Sequence, residues 1–314
     1  MKVSMSNLLE LKNQIESIKS AINHLFYGSV EIRQNENKKY IYVHFRNHGI
    51  LQTKYVGEYS DELYNLVLNN NIKVKELKKR LKELEKELKS FPNTNKEMTG
   101  DVLLNIDLAR RNLVDSIYKQ SILEGVATTY SDTETIVNEG KVRDMSTLDV
   151  QKILNLKHAW EFIMDYDVEC CPTNYALLCQ INGLVEEGIS YSAGKIRSTP
   201  VTIGGSSYIP PIPFEFKTKE DIESIVNDTE LDHVAKAARL IAYSMKTQTF
   251  MDGNKRTAVI FGNHYLISHG VGLMVVPVEK IERYKTLLLD YYEDRSEDLI
   301  RFFINECFIS LKQK

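Results

Sequence analysis

The sequence lacks the features that would identify a metal-binding, disulfide-stabilised or strongly basic protein. Its four cysteines, of which Cys170 and Cys171 are adjacent, show neither metal-ligand spacing nor a disulfide framework. The formal net charge of −3 argues against a strongly basic nucleic-acid binder, although a local basic patch is compatible with it. We therefore expect reduced thiols in a cytoplasmic protein for which nucleic acid is not the expected partner.

The sequence also lacks a long uninterrupted apolar run. Polar and charged residues break every apolar run in residues 1–14, so we expect no signal peptide. The most apolar stretch, about 258–277, contains Asn263, His264 and His269 and is a poor membrane span. We expect no membrane partner. A chain of 314 residues is long enough for one large domain or two of ordinary size.

The period of the apolar residues changes along the first hundred residues. Residues 7–26 have helical spacing. A long, strongly charged helix is predicted over about 60–90. Between these helices, apolar and polar residues alternate in three segments separated by Asn- and Gly-containing breaks, which predicts a small antiparallel meander. The three segments are 29–34, 39–46 and 50–57. Together these elements predict a small α+β module over residues 1–92, with an accessory or a target-docking role.

A row of apolar residues along the charged helix permits two interpretations. The residues are spaced three and four apart, as in a coiled coil. They are Val74, Leu77, Leu81, Leu84 and Leu88. Because two heptads are short, we favour packing against the first helix or the core, with a homodimer as the alternative. The segment 91–95, which contains Pro92, is the predicted domain boundary.

The remaining residues, 100–314, are predicted to form a mainly helical domain. The predicted helices are about 100–125, 147–166, 171–187, 229–247, 254–269, 278–293 and 296–312. One stretch differs, because residues 196–209 form two β-prone runs around Gly204 and Gly205. A Gly-Gly turn favours a hairpin, and the prolines at 210–211 end it. Taken alone, this segment also fits an ordinary surface hairpin.

Residues 248–257 (QTFMDGNKRT) are the most informative stretch. They end one helical pattern and open another at about Asn254, where unpaired backbone N–H groups favour a bound phosphate. Asp252 adds an oxygen ligand suited to Mg²⁺, and Lys255 and Arg256 add positive charge. These features predict a nucleotide-phosphate site. The alternative for a short motif is a helix–turn–helix corner with solvated charges.

This stretch resembles the Fic/Doc (Fido) family, whose pattern is His-x-Phe-x-Asp-Gly-Asn-Gly/Lys-Arg. Gln248 stands in the place of the histidine. The resemblance extends over roughly residues 100–300 and implies a mainly α, Fido-type helical bundle with a β-hairpin flap. The residues that match the pattern are Phe250, Asp252, Gly253, Asn254, Lys255 and Arg256.

Two further landmarks follow the family order. Residues 121–125 resemble the inhibitory helix motif, with Gln120 in the place of its Ser or Thr, which implies that Glu124 is the inhibitory residue. Glu139 lies in a literal match to the same short motif, but the sequence context favours Glu124. The predicted hairpin corresponds to the flap that binds a target segment through main-chain hydrogen bonds. Its target-binding residues are Val201, Thr202, Ile203 and Gly204.

The resemblance implies transfer of AMP from ATP, with Mg²⁺, to a hydroxyl side chain of a target protein. Gly253, Asn254 and Lys255 would bind the phosphates, and Asp252 would bind Mg²⁺. Arg256 would neutralise charge in the transition state. Gln248 can orient the hydroxyl but cannot accept its proton, so we expect weakened activity. Phe250 is expected to point into the core.

Two departures from the family pattern leave the activity open. Val259 stands where inhibited members have a second arginine, so Glu124 would lack its ionic partner and the usual autoinhibition is not expected. Lys255 resembles the Doc-like branch, which implies a protein kinase as one alternative. A nucleotide-binding pseudoenzyme or partner-binding regulator is the other. His233, His264 and His269 are expected to be structural.

Overall fold

The computed structural model describes residues 11, 14–15, 17–22, 25–35, 38–47, 50–90, 98–140 and 145–311. The chain divides into two compact units, of which the first ends at residue 92. The predicted boundary at 91–95 lies outside the described residues. Among the helices that are described, none combines the length and the apolar character needed to cross a membrane.

The first unit contains a helix, a three-stranded sheet and a long helix. The described residues between 11 and 22 are helical, and residues 7–10 of the predicted helix lie outside the described chain. The strands are β1 (Ser29–Asn35), β2 (Lys38–Asn47) and β3 (Ile50–Glu58), and the long helix α1 is Asp61–Ser90. The strands form an antiparallel sheet in the order β1-β2-β3, so the predicted meander and long helix are confirmed.

The central strand β2 shows why this segment forms a sheet. Ile41 and Val43 alternate along β2 and are fully buried, as the period of two requires for one buried face. Tyr42 lies opposite Tyr55 of β3, with ring centroids 5.4 Å apart. Cross-strand aromatic pairs of this kind stabilise a sheet and fix its register.

The apolar row of α1 packs inside the chain. Leu84 is buried with Leu11 and Ile15, and Leu81 packs at the edge of the same cluster. This confirms the interpretation that the row packs against the first helix. The side chain of Leu88 lies outside the described part, and the homodimer stays a prediction.

The second unit is mainly α-helical, as predicted. Its helices are α2 (Gly100–Arg111), α3 (Leu113–Leu123), α4 (Tyr130–Glu139), α5 (Thr147–Ile163), α6 (Tyr166–Glu169), α7 (Tyr175–Val185), α8 (Glu215–Asn227), α9 (His233–Thr247), α10 (Asn254–Ser268), α11 (Ile281–Tyr292) and α12 (Asp298–Phe302). Helix α10 is buried on nearly all sides and packs against α5, α7 and α9. A helix that is buried on nearly all sides lies in the centre of its bundle.

Several helix boundaries differ from the prediction. The helix predicted over 100–125 is divided at Asn112. The predicted last helix continues from α12 into a π-helical turn, Phe303–Cys307, and ends in strand β5 (Phe308–Ile309), which pairs with β4 (Leu273–Met274). Helices α4 and α8 were not predicted. The ends of α4 are nevertheless marked, because Thr129 caps its first turn and Gly140 ends it at φ 69°.

The predicted β-hairpin at 196–209 is wrong. The segment is an irregular loop without a strand ladder, although it does turn at Gly204 and Gly205, where Ser206 N–H donates to Ile203 O over 3.2 Å. After the turn, Ser207 N–H donates to the carboxylate of Glu293 over 3.0 Å. The returning chain is therefore bonded to the end of α11 instead of to its own outgoing half.

The cysteines agree with the expectation of reduced thiols, because all four are free. They are Cys170, Cys171, Cys179 and Cys307.

A buried carboxyl group at the end of α6 yields the first testable prediction. Glu169 is 5% exposed, neither oxygen has a hydrogen-bond partner, and burial raises its pKa well above the usual value. Stability is therefore complete below the unfolded-state pKa near 4.5 and is lost as the pH rises toward the raised folded-state pKa. We expect Glu169→Gln to raise the unfolding midpoint at pH 7.5 by about 2–4 °C, which corresponds to about 1 kcal/mol.

The measurement is calorimetric unfolding of both proteins at pH 7.5 and near pH 4. Near pH 4 the difference should vanish, because Glu169 is then neutral in both states. Glu223→Gln, at an exposed position of α8, is the control and should change neither midpoint. An unchanged midpoint in Glu169→Gln at pH 7.5 would show that the buried carboxyl group does not lower the stability of the folded state.

Candidate functional site

The segment between α9 and α10 is a tight loop with two left-handed residues. Gln248 follows the last residue of α9 with φ 47° and ψ 56°, and Gly253 precedes α10 with φ 73°. Between them Phe250 is 2% exposed, so it points into the core as expected. A left-handed residue other than glycine is uncommon and persists where the surroundings over-determine it.

Two side-chain amides hold this loop in place. Asn254 accepts from Phe250 N–H over 2.9 Å and donates to Phe250 O over 2.8 Å. It also donates to Gln248 Oε1 over 3.1 Å, while Gln248 Nε2 donates to Met245 O over 2.6 Å. Both amides are thus hydrogen-bonded within the loop. The side chain of Asn254 is therefore occupied, and its backbone N–H at the start of α10 is the group suited to bind phosphate.

One residue within α7 and one at its end fix the other side of the loop between α9 and α10. Asn182 donates to Asp252 O and Thr257 Oγ1, each over 3.1 Å, and accepts from Gly194 N–H over 2.8 Å. A Cβ at Gly253 would lie 2.4 Å from a carboxylate oxygen of Glu186. Glycine is therefore required at 253 both by its backbone angle and by its neighbour.

A cleft of about 480 Å³ brings together most of the predicted site residues. This volume lies within the range of small-molecule sites. Tyr284, Leu288 and Tyr292 of α11 form part of its wall. The predicted residues that line it are Glu124, Val201, Thr202, Ile203, Gly204, Gln248, Asp252, Gly253, Asn254 and Lys255. Arg256 lies behind the cleft with 4% of its side chain exposed, and Glu139 lies at an exposed helix end outside it.

Three carboxylates surround the buried guanidinium of Arg256. Its Nη2 is 2.9 Å from Glu186 Oε1 and 3.6 Å from Asp252 Oδ1, and its Nε is 3.8 Å from Glu124 Oε2. Lys255 Nζ is 3.5 Å from Glu124 Oε1. The expectation that Glu124 lacks an ionic partner is therefore wrong, because Lys255 and Arg256 both reach it without the second arginine that Val259 replaces.

Glu186 is the functional candidate that sequence reasoning missed. Its side chain is 1% exposed, and neither oxygen has a hydrogen bond of good geometry despite the close approach of Arg256. Burial raises the pKa of Glu186 to about 7; Arg256 opposes this rise, and Asp252 and Glu124 reinforce it. Glu186 and Glu187 together at the end of α7 look like solvated charges in the sequence, so no sequence signal distinguishes the buried one.

A second buried guanidinium fastens the loop at 199–211 to the site. Arg197 donates from Nε to Gln248 O over 2.5 Å and from Nη1 to Thr199 O over 2.8 Å. Its Nη2 donates to Pro211 O over 2.6 Å. Arg197 is 2% exposed, and burial lowers its pKa. One side chain thus joins the loop containing Gln248 to both ends of the segment that was predicted as the flap.

Gln120 anchors the first turn of α10. It donates to Arg256 O over 2.7 Å and accepts from the indole N–H of Trp160 over 3.1 Å. This residue stands where the resemblance called for Ser or Thr. In this chain its longer amide supports the backbone beneath Arg256.

The histidines have structural environments, as expected. His264 is fully buried between Thr173 Oγ1 and Val168 O, and burial lowers its pKa to about 4. His233 and His269 both pack against the ring of Tyr265. None of the three lines the cleft.

Asp252 is the one predicted metal ligand, and its surroundings fit Mg²⁺ delivered with a nucleotide. Its side chain lines the cleft, is 67% exposed, and accepts from Gly253 N–H over 2.6 Å. Within the described ranges, no group of three or more His, Cys, Asp or Glu side chains is placed to hold a metal. Mg²⁺ is commonly held by one or two carboxylates together with substrate phosphates. Asp252 therefore suits a shared magnesium site and not an all-protein one.

The comparisons with known proteins agree with this fold. Residues 172–266 match the Fic model, described as the Fic/DOC family. A Fic domain containing signaling protein from Bacteroides thetaiotaomicron VPI-5482 is similar in structure, with TM-score 0.54 and 19% identity over 67% of this chain and 85% of that one. A Fic family protein from Desulfovibrio desulfuricans G20 has TM-score 0.51 and 17% identity, covering 68% and 72%. No curated protein matches the chain. These findings support the Fic/Fido resemblance and the predicted fold.

The role of Arg197 as a fastener can be tested by Arg197→Lys. A lysine cannot reach carbonyls on both the Gln248 loop and the 199–211 segment, so we expect a loss of about 2–4 kcal/mol in the free energy of unfolding. Chymotrypsin should then cleave after Tyr208 faster than in the natural chain. Lys195→Ala, at an exposed neighbouring position, is the control. Equal cleavage rates in all three proteins would contradict this role.

Proposed function

We propose that the second unit binds ATP in the 480 Å³ cleft and transfers AMP to a hydroxyl side chain of a target protein, slowly, because Gln248 is not a base. The main support is the convergence of three elements on that cleft. These are the N-terminus of α10 with Lys255, the segment Val201–Gly204, and Gln248. In the Fic-type reaction, the same three elements bind the nucleotide, position the target and contact the reacting hydroxyl.

The phosphates would bind at the start of α10. Backbone N–H groups there are unpaired and carry the positive end of the helix dipole. Lys255 is part of the cleft wall, and Arg256 lies directly behind it. Mg²⁺ at Asp252 would neutralise phosphate charge. Since both cations now approach Glu124, a bound nucleotide would replace a carboxylate with phosphate oxygens.

The target segment would lie along Val201–Gly204. Thr202 and Gly204 are exposed, and Val201 and Thr202 make no main-chain hydrogen bond within the described chain. Unpaired main-chain N–H and C=O groups can bind a peptide strand without reading much sequence. Although no hairpin forms, the groups needed for strand addition are therefore present.

In the proposed reaction, the hydroxyl oxygen of the target attacks the α-phosphorus. The bond from the α-phosphorus to the bridging oxygen breaks, and pyrophosphate leaves. The hydroxyl proton passes to water, since the neutral amide of Gln248 cannot take it. Positioning and electrostatics dominate phosphoryl-type transfer, so turnover without a base remains chemically reasonable. A missing general base lowers the rate by about 10²–10⁴-fold.

A nucleotide-binding regulator without transfer activity is the second candidate. The observation that favours it is the engagement of Gln248, whose Nε2 donates to Met245 O and whose Oε1 accepts from Asn254. These bonds fix the direction of the amide, so a hydroxyl can be bound only by the remaining N–H or the remaining lone pair of Gln248. The alternative of a Doc-like kinase rests on Lys255, which in this structure pairs with Glu124, and on the absence of a second arginine at Val259.

Glu124 is proposed to inhibit nucleotide binding. Its carboxylate is 14% exposed, lines the cleft and approaches both Lys255 and Arg256. It therefore competes with phosphate for these cations. The inhibition differs from the usual form, because Lys255 supplies the contact that a second arginine would make.

The transfer reaction can be tested with α-³²P-ATP and γ-³²P-ATP, each with Mg²⁺, on the protein alone and in a cell lysate. We expect slow labelling from α-³²P-ATP that Arg256→Ala abolishes. Gln248→His should raise the rate by about 10²-fold or more, because an imidazole can accept the proton.

The label and the variant distinguish the three functions. Labelling from γ-³²P-ATP alone would establish a kinase and overturn the AMP-transfer proposal. Absence of labelling by the natural chain, with a gain in Gln248→His, would establish the regulator. Absence of labelling by both, together with no ATP binding in calorimetry, would contradict every nucleotide-dependent function.

Glu186 predicts a pH dependence of ATP binding. Burial raises the pKa of Glu186 to about 7, so Glu186 becomes ionised between pH 6 and pH 8. Its negative charge then offsets the positive charge of Arg256 that a phosphate would meet. Glu186→Gln lacks that charge at every pH. We expect it to bind ATP about tenfold more tightly than the natural chain at pH 8 and about equally at pH 6.

Calorimetric titration of both proteins at the two pH values measures this difference. The ratio of the two dissociation constants cancels the titration of ATP itself. Glu187→Gln, at the adjacent position, is the control. A ratio that does not change with pH would mean that Glu186 keeps one charge state throughout.

A further inference from the structure

The first unit carries a row of lysines that the proposed transfer reaction does not use. Lys75, Lys78, Lys79 and Lys82 recur at the spacing of one face of α1 and line a groove of about 440 Å³. Residues three and four apart on a helix are neighbours on its surface. The other walls of this groove are Tyr27, Asn71 and Val74.

Three of these lysines have no ion-pair partner among the described residues. None of Lys75, Lys79 and Lys82 lies within ion-pair distance of a carboxylate in the described part of the chain. On the same helix, Arg80 pairs with Glu83 over 3.6 Å. Like charges four residues apart destabilise a helix, so an anion that enters the groove would relieve this repulsion.

The basic groove continues into a second cavity, whose lining mixes polar residues with exposed apolar side chains. This cavity has a volume of about 750 Å³ and shares Tyr27, Asn71 and Lys78 with the first. Leu51 and Leu68 in its wall are 62% and 40% exposed. Its other apolar walls are Val30, Phe45 and Tyr64. The combined groove, from Leu51 to Lys82, therefore has exposed leucines at one end and a row of lysines at the other.

The junction between the two ends is rigid. Gly28 N–H donates to Asn71 Oδ1 over 2.7 Å, and Asn71 Nδ2 donates to Gly28 O over 3.0 Å. A Cβ at Gly28 would lie 2.2 Å from His44 O, so only glycine fits there. A preformed groove binds its ligand with a smaller loss of conformational entropy.

We propose that the combined groove binds an acidic, amphipathic segment of a partner protein. The apolar side chains of the segment would lie against Leu51 and Leu68, and its carboxylates would lie along the lysine row. An amphipathic segment laid into a groove is a recurring mode of peptide recognition. The proposal does not depend on the transfer reaction, because every residue that it uses belongs to the first unit.

A single-stranded nucleic acid fits the groove less well. Its phosphates would follow the whole groove, but at the end that contains Leu51 and Leu68, Lys78 is the one lysine or arginine among the described lining residues. Its bases need free aromatic faces, whereas the ring of Tyr27 already carries the ammonium of Lys78, 4.8 Å from its centroid. Lysines at one end of the groove and exposed leucines at the other match a peptide with acidic residues at one end and apolar residues at the other.

Fluorescence anisotropy of the full chain with a labelled synthetic peptide tests the proposal. The peptide carries leucines at one end and glutamates at the other end of one helical face. We expect Lys75→Glu with Lys82→Glu to weaken binding by about tenfold or more, and Leu68→Ser by about threefold. The matched controls are Lys73→Glu with Arg80→Glu and Leu66→Ser, which lie outside both cavities and should change affinity by less than about twofold.

Three results would overturn the proposal. The first is absence of binding by the natural chain. The second is equal weakening by the groove variants and their controls, which would show attraction by net charge alone. The third is tighter binding of a labelled oligothymidylate through the same lysines, which would assign the groove to nucleic acid. Circular dichroism spectra of all variants should match that of the natural chain, which would show that a variant with weaker binding is still folded.

Discussion

The second unit is organised around the buried positive charge of Arg256. A guanidinium with 4% of its side chain exposed needs compensating charge, and Glu186, Asp252 and Glu124 approach it within 2.9–3.8 Å. These carboxylates come from the end of α7, the loop before α10 and the end of α3. Charge compensation at one guanidinium therefore fixes three chain segments relative to each other. Removal of any of these carboxylates would leave the buried charge of Arg256 less well compensated, which costs free energy of folding.

This arrangement also limits how phosphate can bind. Three carboxylates face two cations, Lys255 and Arg256, so the site is not a simple positive pocket. A nucleotide must displace a carboxylate, bring a metal ion or bind to a site in which a carboxyl is protonated. Glu124 can be displaced because it lies in the cleft wall, Asp252 can share a metal ion, and Glu186 can be protonated because burial raises its pKa to about 7. Each of the three acids thus offers a different way to reduce the repulsion between its carboxylate and a phosphate.

The residues that were predictable from sequence are those whose type and spacing are constrained locally. Asp252, Gly253 and Asn254 are needed by the turn and the helix start, and the apolar period located most of the helices. The long-range partners of the loop could not be found in this way. Asn182, Glu186 and Arg197 act through carbonyls and charges that are distant in sequence, and nothing in their own neighbourhoods marks them as buried.

The failed hairpin has the same physical cause. Two β-prone runs around Gly204 and Gly205 favour pairing with each other if no stronger partners exist. Arg197 takes the carbonyls of Thr199 and Pro211, and Glu293 takes the N–H of Ser207. Charged donors and acceptors form stronger hydrogen bonds than a neutral ladder does. Tertiary bonds therefore prevented the two runs from pairing, although the local preference for a turn was correct.

The position of Gln248 separates the fold of the loop from its chemistry. The left-handed residue at the end of α9 uses one donor, to Met245 O, and one acceptor, from Asn254. A neutral imidazole also offers a donor for Met245 O, and its other nitrogen can accept a proton. The described contacts therefore do not demand glutamine, and a histidine could cap the same helix end. What glutamine changes is the response to a proton: it keeps the hydrogen bonds at every physiological pH and accepts no proton from a hydroxyl. Under the proposed function, a loop built with glutamine would retain its shape and the backbone groups proposed to bind phosphate while transfer is slowed, so binding and catalysis would be controlled by different atoms of one short segment.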